Sequence, residues 1–296
     1  MSFYKNTCVS VITALLSVGS VARSVETFRI MPLGDSNTRG TYPINLSGPN
    51  PASIGAGGYR YPLQQMLAAG GYRYNFVGSQ TSNAVGDSGL GLKPSSEWTY
   101  DLTFQRNHQG LAGFGNSGLL QGGSVPTMLG DAEDYAPPLV TCLSIYRPDI
   151  VLLMSGTNDL NLEQLDNVIR AITTSSPRTH LIVSTIFDRW TATGPDHNTQ
   201  LYNAGIPALV TAAQQRGELV TFVDCRSALT RDDFCYNGLL GDGVHPNPVL
   251  AESKVAAVWY AGIQAIAPVP EPSAIVLCGI ALFGLAGYWL RQRIKK

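Results

Sequence analysis

The sequence predicts an α/β fold, a three-layer α/β/α sandwich around a five-stranded parallel sheet of flavodoxin-like type. Three observations lead there. Short apolar runs alternate with segments of helical period along the chain. Residues 149–154 form a nearly continuous apolar run, as expected for a strand covered on both faces. Stretches rich in Gly, Ser, Pro and Asn follow predicted strands, at the sheet end where such folds bind ligands.

In order, residues 28–33 read as the first strand, 61–69 as a helix and 74–78 as the second strand. Residues 149–154 are the third strand, 162–174 a helix and 181–186 the fourth strand. A helix over 201–215, a fifth strand over 219–223 and a closing helix over 248–266 complete the set. Five parallel strands joined this way carry helices on both faces. Residues 41–58 and 80–138 fit the alternation poorly and are read as loops that shape a site. Residues 268–272 are the linker, and no repeat of fixed period stands out.

Of the 296 residues, 44% are hydrophobic and 14% charged, which is too apolar for a disordered chain. Lys and Arg number 20 against 21 Asp and Glu, giving a formal net charge of -1, with no block of like charge before the last six residues. A nucleic-acid partner would need a basic footprint, so none is expected. The 31 Gly and 18 Pro are dispersed, as in a loop-bearing globular protein rather than a fibrous one.

Both ends read as addresses. Lys5, an uncharged apolar stretch over 8–21 and the small residues of Ser20-Val21-Ala22 have the layout of a secretory signal peptide, residues 1–22. An ordinary buried N-terminal helix is the alternative. At the far end, within residues 268–296, Val269-Pro270-Glu271-Pro272-Ser273 precedes an apolar run over 274–290, and Arg291, Arg293, Lys295 and Lys296 follow. At about 1.5 Å per residue that run reaches roughly 26 Å, enough to span a hydrocarbon core. The basic end then stays cytoplasmic and the body lies outside the inner membrane. The order of Pro-Glu-Pro, span and basic cluster resembles the PEP-CTERM sorting signal of Gram-negative bacteria. The resemblance implies processing by an exosortase-type enzyme besides signal peptidase. The protein would be membrane-anchored before that cut and at the cell surface or released after it; a plain C-terminal anchor is the alternative. Residues 23–267 remain as one domain. In an oxidising compartment, Cys225 and Cys235 have two readings, a local bridge or two reduced thiols.

The first strand runs into Gly34-Asp35-Ser36-Asn37-Thr38, which exposes a serine where a substrate carbonyl can arrive and where the serine's own N–H can face an oxyanion. Gly86-Asp87-Ser88 repeats the tripeptide in a polar loop with no strand before it, and reads as a turn. After the third strand, Gly156-Thr157-Asn158-Asp159 lets Asn158 aim a side-chain N–H from a neighbouring strand end. Between the fifth strand and the last helix lies Asp242-Gly243-Val244-His245. There Asp242 can accept from Nδ1 of His245 and leave Nε2 as a base. No His, Cys or Asp cluster has metal-ligand spacing, so neither metal nor cofactor is expected.

Taken in order, Gly34-Asp35-Ser36, Gly110-Leu111-Ala112-Gly113, Gly156-Thr157-Asn158-Asp159 and Asp242-Gly243-Val244-His245 resemble the four blocks of the SGNH (GDSL-type) hydrolases. The resemblance implies the SGNH hydrolase fold, with Ser36 as nucleophile, His245 as general base and Asp242 as its orienter. It also implies an oxyanion hole of Ser36 N–H, Gly113 N–H and the Asn158 side chain. Asn37 departs from the family's pattern, which has Leu after the serine. Gly57-Gly58-Tyr59-Arg60, Phe76-Val77-Gly78-Ser79 and His108-Gln109-Gly110-Leu111-Ala112-Gly113 are similar to segments of the acetylxylan-esterase branch. That similarity implies an O-acetyl ester of a polysaccharide as substrate. A lipase or short-chain carboxylesterase, or a non-catalytic glycan-binding surface protein, are the alternatives. Asp35, His108, Trp98, Tyr100 and Trp190 are candidates for lining the substrate, the aromatic rings by stacking on sugars or merely by pinning their loops.

Overall fold

A computed structural model describes residues 27–40, 57–81, 104–124, 135–236 and 238–267. The segments read as signal peptide, linker and apolar run, together with Ser88, Trp98 and Tyr100, lie outside the described residues. Strand β1 spans Thr27–Gly34, and a single helical turn, α1, follows at Ser36–Arg39. Helix α2 (Arg60–Ala69) leads to β2 (Arg73–Phe76), and the two-residue β3 (Gln109–Gly110) precedes helix α3 (Asn116–Gln121). Helix α4 (Leu139–Tyr146) comes before β4 (Ile150–Met154), then α5 (Leu162–Ser175) and β5 (His180–Ser184). A small hairpin of β6 (Trp190–Thr191) and β7 (Gly194–Pro195) leads into α6 (His197–Gln215) and β8 (Val220–Val223). Two 3-10 turns and the hairpin β9 (Cys235–Tyr236) and β10 (Leu239–Leu240) precede the last helix, α7 (Pro248–Ile266).

The main sheet runs β2-β1-β4-β5-β8, all parallel, with β3 paired to the end of β1. Its centre explains its sequence. All five residues of β4 are buried, and Ile30, Met31 and Leu33 of β1 lie beside them, with Ile30 opposite Ile150 and Leu33 opposite Leu153. A parallel strand with helices over both faces has no solvent side, so its sequence is a run rather than an alternation. Helices α2 and α7 pack together in one layer; α3, α4, α5 and α6 form the other. Leu165, Val168, Ile169 and Ile172 make the buried stripe of α5, and Asn161 caps it by accepting the Gln164 N–H at 3.0 Å. Trp259 of α7 is fully buried with its ring 5.7 Å from that of Tyr59.

The five strands and the helices α2, α5, α6 and α7 match the sequence reading within a few residues. Two helices depart from it. Helix α4 has no counterpart in the sequence pattern, because eight residues are too few to display a clear period and Val140 and Ile145 are exposed apolar residues that blur the buried stripe of Leu139, Cys142 and Leu143. Helix α3 lies inside the stretch read as loop; its first residue, Asn116, and Leu119 are buried. Of the cysteines, Cys142, Cys225 and Cys235 are free thiols, and burial pushes the Cys225 thiol up to about 12. Among the described residues no helix is long and apolar enough to cross a membrane.

This topology creates one position for a site. The chain leaves β1 and β4 toward opposite neighbours, and between such strands the carboxyl ends open a crevice. Ser36 follows β1, Asn158 follows β4 and the loop after β3 begins beside the end of β1.

Candidate active site

Ser36 is placed by a turn with little freedom. A Cβ on Gly34 would come within 2.0 Å of the Met154 carbonyl oxygen and 2.4 Å of Thr38 Oγ1, so only glycine lets β1 pass this close to β4. Asp35 then caps α1, accepting the Asn37 N–H at 3.0 Å on one oxygen and the Thr157 N–H at 3.3 Å on the other. Asp35 is wholly buried. Burial pushes its carboxyl above the ordinary value, against hydrogen bonds from Thr157 and Asn37 and the proximity of His245, which lower it. The carboxylate thus lies beneath the serine and ties the ends of β1 and β4 together.

The histidine arrives from the other end of the chain. Asp242 Oδ1 accepts the N–H groups of Val244 and His245, each at 2.9 Å, which closes a tight turn. Its second oxygen is 2.7 Å from His245 Nδ1, and His245 Nε2 is 2.8 Å from Ser36 Oγ. Burial raises the Asp242 carboxyl, but the hydrogen bond and charge of His245 and the two backbone N–H groups outweigh it, so the pKa is lowered. A carboxylate held charged against Nδ1–H leaves Nε2 as the proton acceptor toward the serine hydroxyl.

The turn is anchored on three sides. Gly243 has φ 72, and a Cβ there would lie 2.0 Å from the Trp190 carbonyl oxygen, while its own carbonyl accepts the Trp190 N–H at 2.7 Å. Asn247 donates its N–H to the Asp233 carbonyl at 2.6 Å and its side-chain amide to the Cys235 carbonyl at 2.8 Å. Lys254 of α7 reaches Asp233 Oδ1 at 2.6 Å.

On the opposite flank, Gly113 has φ 79, a backbone state that favours glycine, and the Asn158 side chain donates to the Phe114 carbonyl at 2.8 Å. One of the two amide hydrogens of Asn158 is used in this bond.

Residues 76–250 match the model of the GDSL-like lipase/acylhydrolase family. The chain belongs to that family. The matched stretch of the GDSL-like chain holds Gly113, Asn158, Asp242 and His245 and begins after β1, so Ser36 lies before it. The chain is 26% identical over 278 residues to a multidomain esterase of Ruminococcus flavefaciens, covering 86% of this chain and 31% of that protein. It spans less than two thirds of the length of the curated relatives it matches. Among solved structures, the family 3 carbohydrate esterase of Clostridium thermocellum superposes with a TM-score of 0.57 at 25% identity, over 81% of this chain and 97% of that one. A carbohydrate esterase family 3 structure from Talaromyces cellulolyticus shares the fold, with a TM-score of 0.55 at 20% identity over 81% and 98%.

Two of the substrate-lining candidates, Asp35 and His108, take buried places in this GDSL-like fold. Asp35 is buried under the serine, as described. His108 is fully buried too, and its Nδ1 accepts the Gly110 N–H at 2.9 Å, so it shapes the glycine loop from within. Trp190 is half-buried, with its ring 6.4 Å from that of Phe234 and its peptide holding Gly243; it pins the Asp242 turn. His180 begins β5, at the opposite end of the sheet, bonded to Thr221 Oγ1 at 2.9 Å. Among the described residues no group of three or more His, Cys, Asp or Glu side chains is arranged to hold a metal ion.

A network absent from the sequence reading joins the two loops that carry Gly113 and Asn158. Asp159 accepts the Asn116 N–H at 2.6 Å and its side-chain amide at 3.0 Å. The same amide reaches the Asn161 carbonyl at 3.3 Å and Tyr202 Oη at 3.2 Å, and Tyr202 donates to the Ser155 carbonyl at 2.8 Å. Asp159 was visible within its four-residue block, but nothing in the sequence marks Asn116 or Tyr202 as its companions.

Proposed function

We propose that this chain is an exported serine esterase that hydrolyses O-acyl esters, O-acetyl groups above all, on carbohydrate. One observation carries the reading: the unbroken line from Asp242 through His245 to Ser36 Oγ, with contacts of 2.7 and 2.8 Å. A hydroxyl at its free pKa is a poor nucleophile, and an oriented imidazole at hydrogen-bond distance removes that limit.

In the proposed reaction, Ser36 Oγ attacks the ester carbonyl carbon as its proton passes to His245 Nε2. The imidazolium is stabilised by Asp242. Negative charge collects on the former carbonyl oxygen, facing the N–H groups of Ser36 and Gly113 and the Asn158 side chain. Collapse expels the alcohol, which takes the proton from His245 and leaves acyl-Ser36. Water then attacks with His245 as base, releasing the acid and the free serine. No metal or cofactor enters any step.

Ester hydrolysis is supported by the similarity to the Ruminococcus multidomain esterase, and carbohydrate as the alcohol by the similarity to the Clostridium family 3 carbohydrate esterase. Export is supported by the signal-like N-terminus and the Pro-Glu-Pro, apolar and basic series at the C-terminus, which fit cleavage by signal peptidase and an exosortase-type enzyme. The test uses the purified chain on acetylated xylan, p-nitrophenyl acetate and long-chain p-nitrophenyl esters. Acetate release from xylan is the expected result. Preference for long chains would make it a lipase, and no turnover on any ester would leave a binding protein.

A further inference from the structure

Ser36 rides on a helix too short to hold itself. In α1, Arg39 N–H bonded to the Asp35 carbonyl and Gly40 N–H bonded to the Ser36 carbonyl, each at 3.0 Å, close a single turn. The carbonyls of Thr38 and Arg39 lie beyond these bonds. One side chain takes both. Arg60, the first residue of α2, is fully buried; its Nε donates to the Thr38 carbonyl at 3.2 Å and its Nη2 to the Arg39 carbonyl at 3.0 Å. Its third arm leaves α1. Nη1 donates to the Arg106 carbonyl at 2.9 Å, and the centroid of the Phe104 ring lies 5.6 Å from the guanidinium carbon. Two glycines let the start of α2 close on the end of α1, since a Cβ on Gly40 would lie 2.4 Å from the Gly58 nitrogen.

Arg106 belongs to the segment that enters β3, and β3 presses on α1. A Cβ on Gly110 would come within 2.5 Å of the Arg39 nitrogen and 2.9 Å of the Thr38 carbonyl carbon, and the next residue, Leu111, donates its N–H to the Gly34 carbonyl at 2.9 Å. Two segments therefore meet at α1, one bearing Ser36 and one running on from β3 to Gly113. Each carries one of the backbone donors of the proposed oxyanion hole. A buried guanidinium is costly unless its N–H groups are taken up, and its planar fork fixes the relative positions of the acceptors it joins. On the esterase reading above, on which this rests, we infer that Arg60 is a positioning residue for the oxyanion hole. It holds the serine turn and the glycine loop at the spacing that lets the Ser36 and Gly113 N–H groups converge on one oxygen. It touches no reacting atom and acts through those two residues.

The test uses Arg60→Lys, which keeps the charge but offers one ammonium in place of a fork. Competent sites are counted by titration with diethyl p-nitrophenyl phosphate, and hydrolysis of p-nitrophenyl acetate is expressed per titrated site. Because the spacing matters in the transition state and a displacement of about 1 Å costs about 10² in rate, kcat should fall by that order with KM changed by less than about twofold. A lowered melting temperature with kcat per titrated site within about threefold of the wild type would make Arg60 a support of the fold alone and overturn the proposal. If Arg60→Lys yields no folded chain, Gly110→Ala decides, since its Cβ forces β3 away from Arg39 while Arg60 stays in place. The same loss in kcat at constant KM is expected there, and wild-type kcat would overturn the dependence on spacing. A wild-type chain that takes up no titrant and turns over no ester overturns the esterase reading itself, and the role of Arg60 with it.

Discussion

His245 Nε2 and Ser36 Oγ lie 2.8 Å apart although 209 residues separate them in the chain. The two arrive on unlike supports. Ser36 sits at the end of a central strand whose closeness to β4 requires Gly34, and His245 sits on a turn closed by Asp242 and held by Trp190 and Asn247. Contact between them depends on both supports, and each can be tested separately.

The charge of Asp242 is the first test. Asp242→Asn keeps the shape of the turn but removes the carboxylate that fixes the Nδ1–H tautomer. Steady-state hydrolysis of p-nitrophenyl acetate should show kcat lowered by about 10² to 10⁴, with the melting temperature little changed. A loss under about threefold would remove Asp242 from the mechanism.

The support of the turn is the second. Gly243→Ala places a Cβ against the Trp190 carbonyl at a backbone angle unfavourable to alanine. Because a displacement of about 1 Å can cost about 10² in rate, kcat should fall by that order while far-UV circular dichroism stays that of the wild type. Full activity in this variant would mean that the turn carries no catalytic group.

For the oxyanion flank, direct donation and positioning separate. Asn158→Ala removes a donor and should cost about 10² to 10³ in kcat with a small change in KM. Asn116→Ala leaves Asn158 in place and breaks bonds to Asp159, Asn161 and Tyr202. It should cost about tenfold in kcat together with about 1–3 kcal/mol of stability, read by urea unfolding. Equal kinetic losses in the two variants, with no loss of stability in the second, would refute the division.

Asp35 makes a prediction about pH. Its folded pKa is raised, so the folded state binds its proton more readily than the unfolded chain does. Its contribution to stability is therefore fullest below the ordinary carboxyl value of about 3.9 and is lost as pH rises through the raised value. Asp35→Asn keeps an acceptor for the Asn37 N–H and has no such loss. The unfolding free energy of the variant minus that of the wild type should grow from about pH 4 upward, in denaturant titrations at several pH values. A difference independent of pH would contradict the raised pKa of this buried carboxyl.

Strands β1 and β4 were legible in the sequence because burial on both faces turns a strand into an apolar run. Helix α4 was not, since Val140 and Ile145 stay exposed and eight residues give the period little room. In the site, Ser36, Asn158, Asp242 and His245 were legible because each sits in a short block at a strand end or tight turn, where local chain geometry limits the residue types. Asn116 and Tyr202 were not. Their contact is made across 86 residues of sequence, and an asparagine or tyrosine is an ordinary surface residue until tertiary structure buries it. Asp35 and His108 stand near site residues in the sequence yet are fully buried, because adjacency in sequence does not reveal which side of the backbone a side chain takes. A strand reverses that side at every residue.

Whether Ser36 is the nucleophile is tested most directly by covalent labelling. The purified chain is treated with diethyl p-nitrophenyl phosphate, a serine-directed ester, and digested for peptide mass spectrometry. A single phosphoryl adduct should appear on Ser36, in proportion to the loss of esterase activity, and Ser36→Ala should be both unlabelled and inactive. An adduct on Ser88, or activity that survives in Ser36→Ala, would contradict the mechanism.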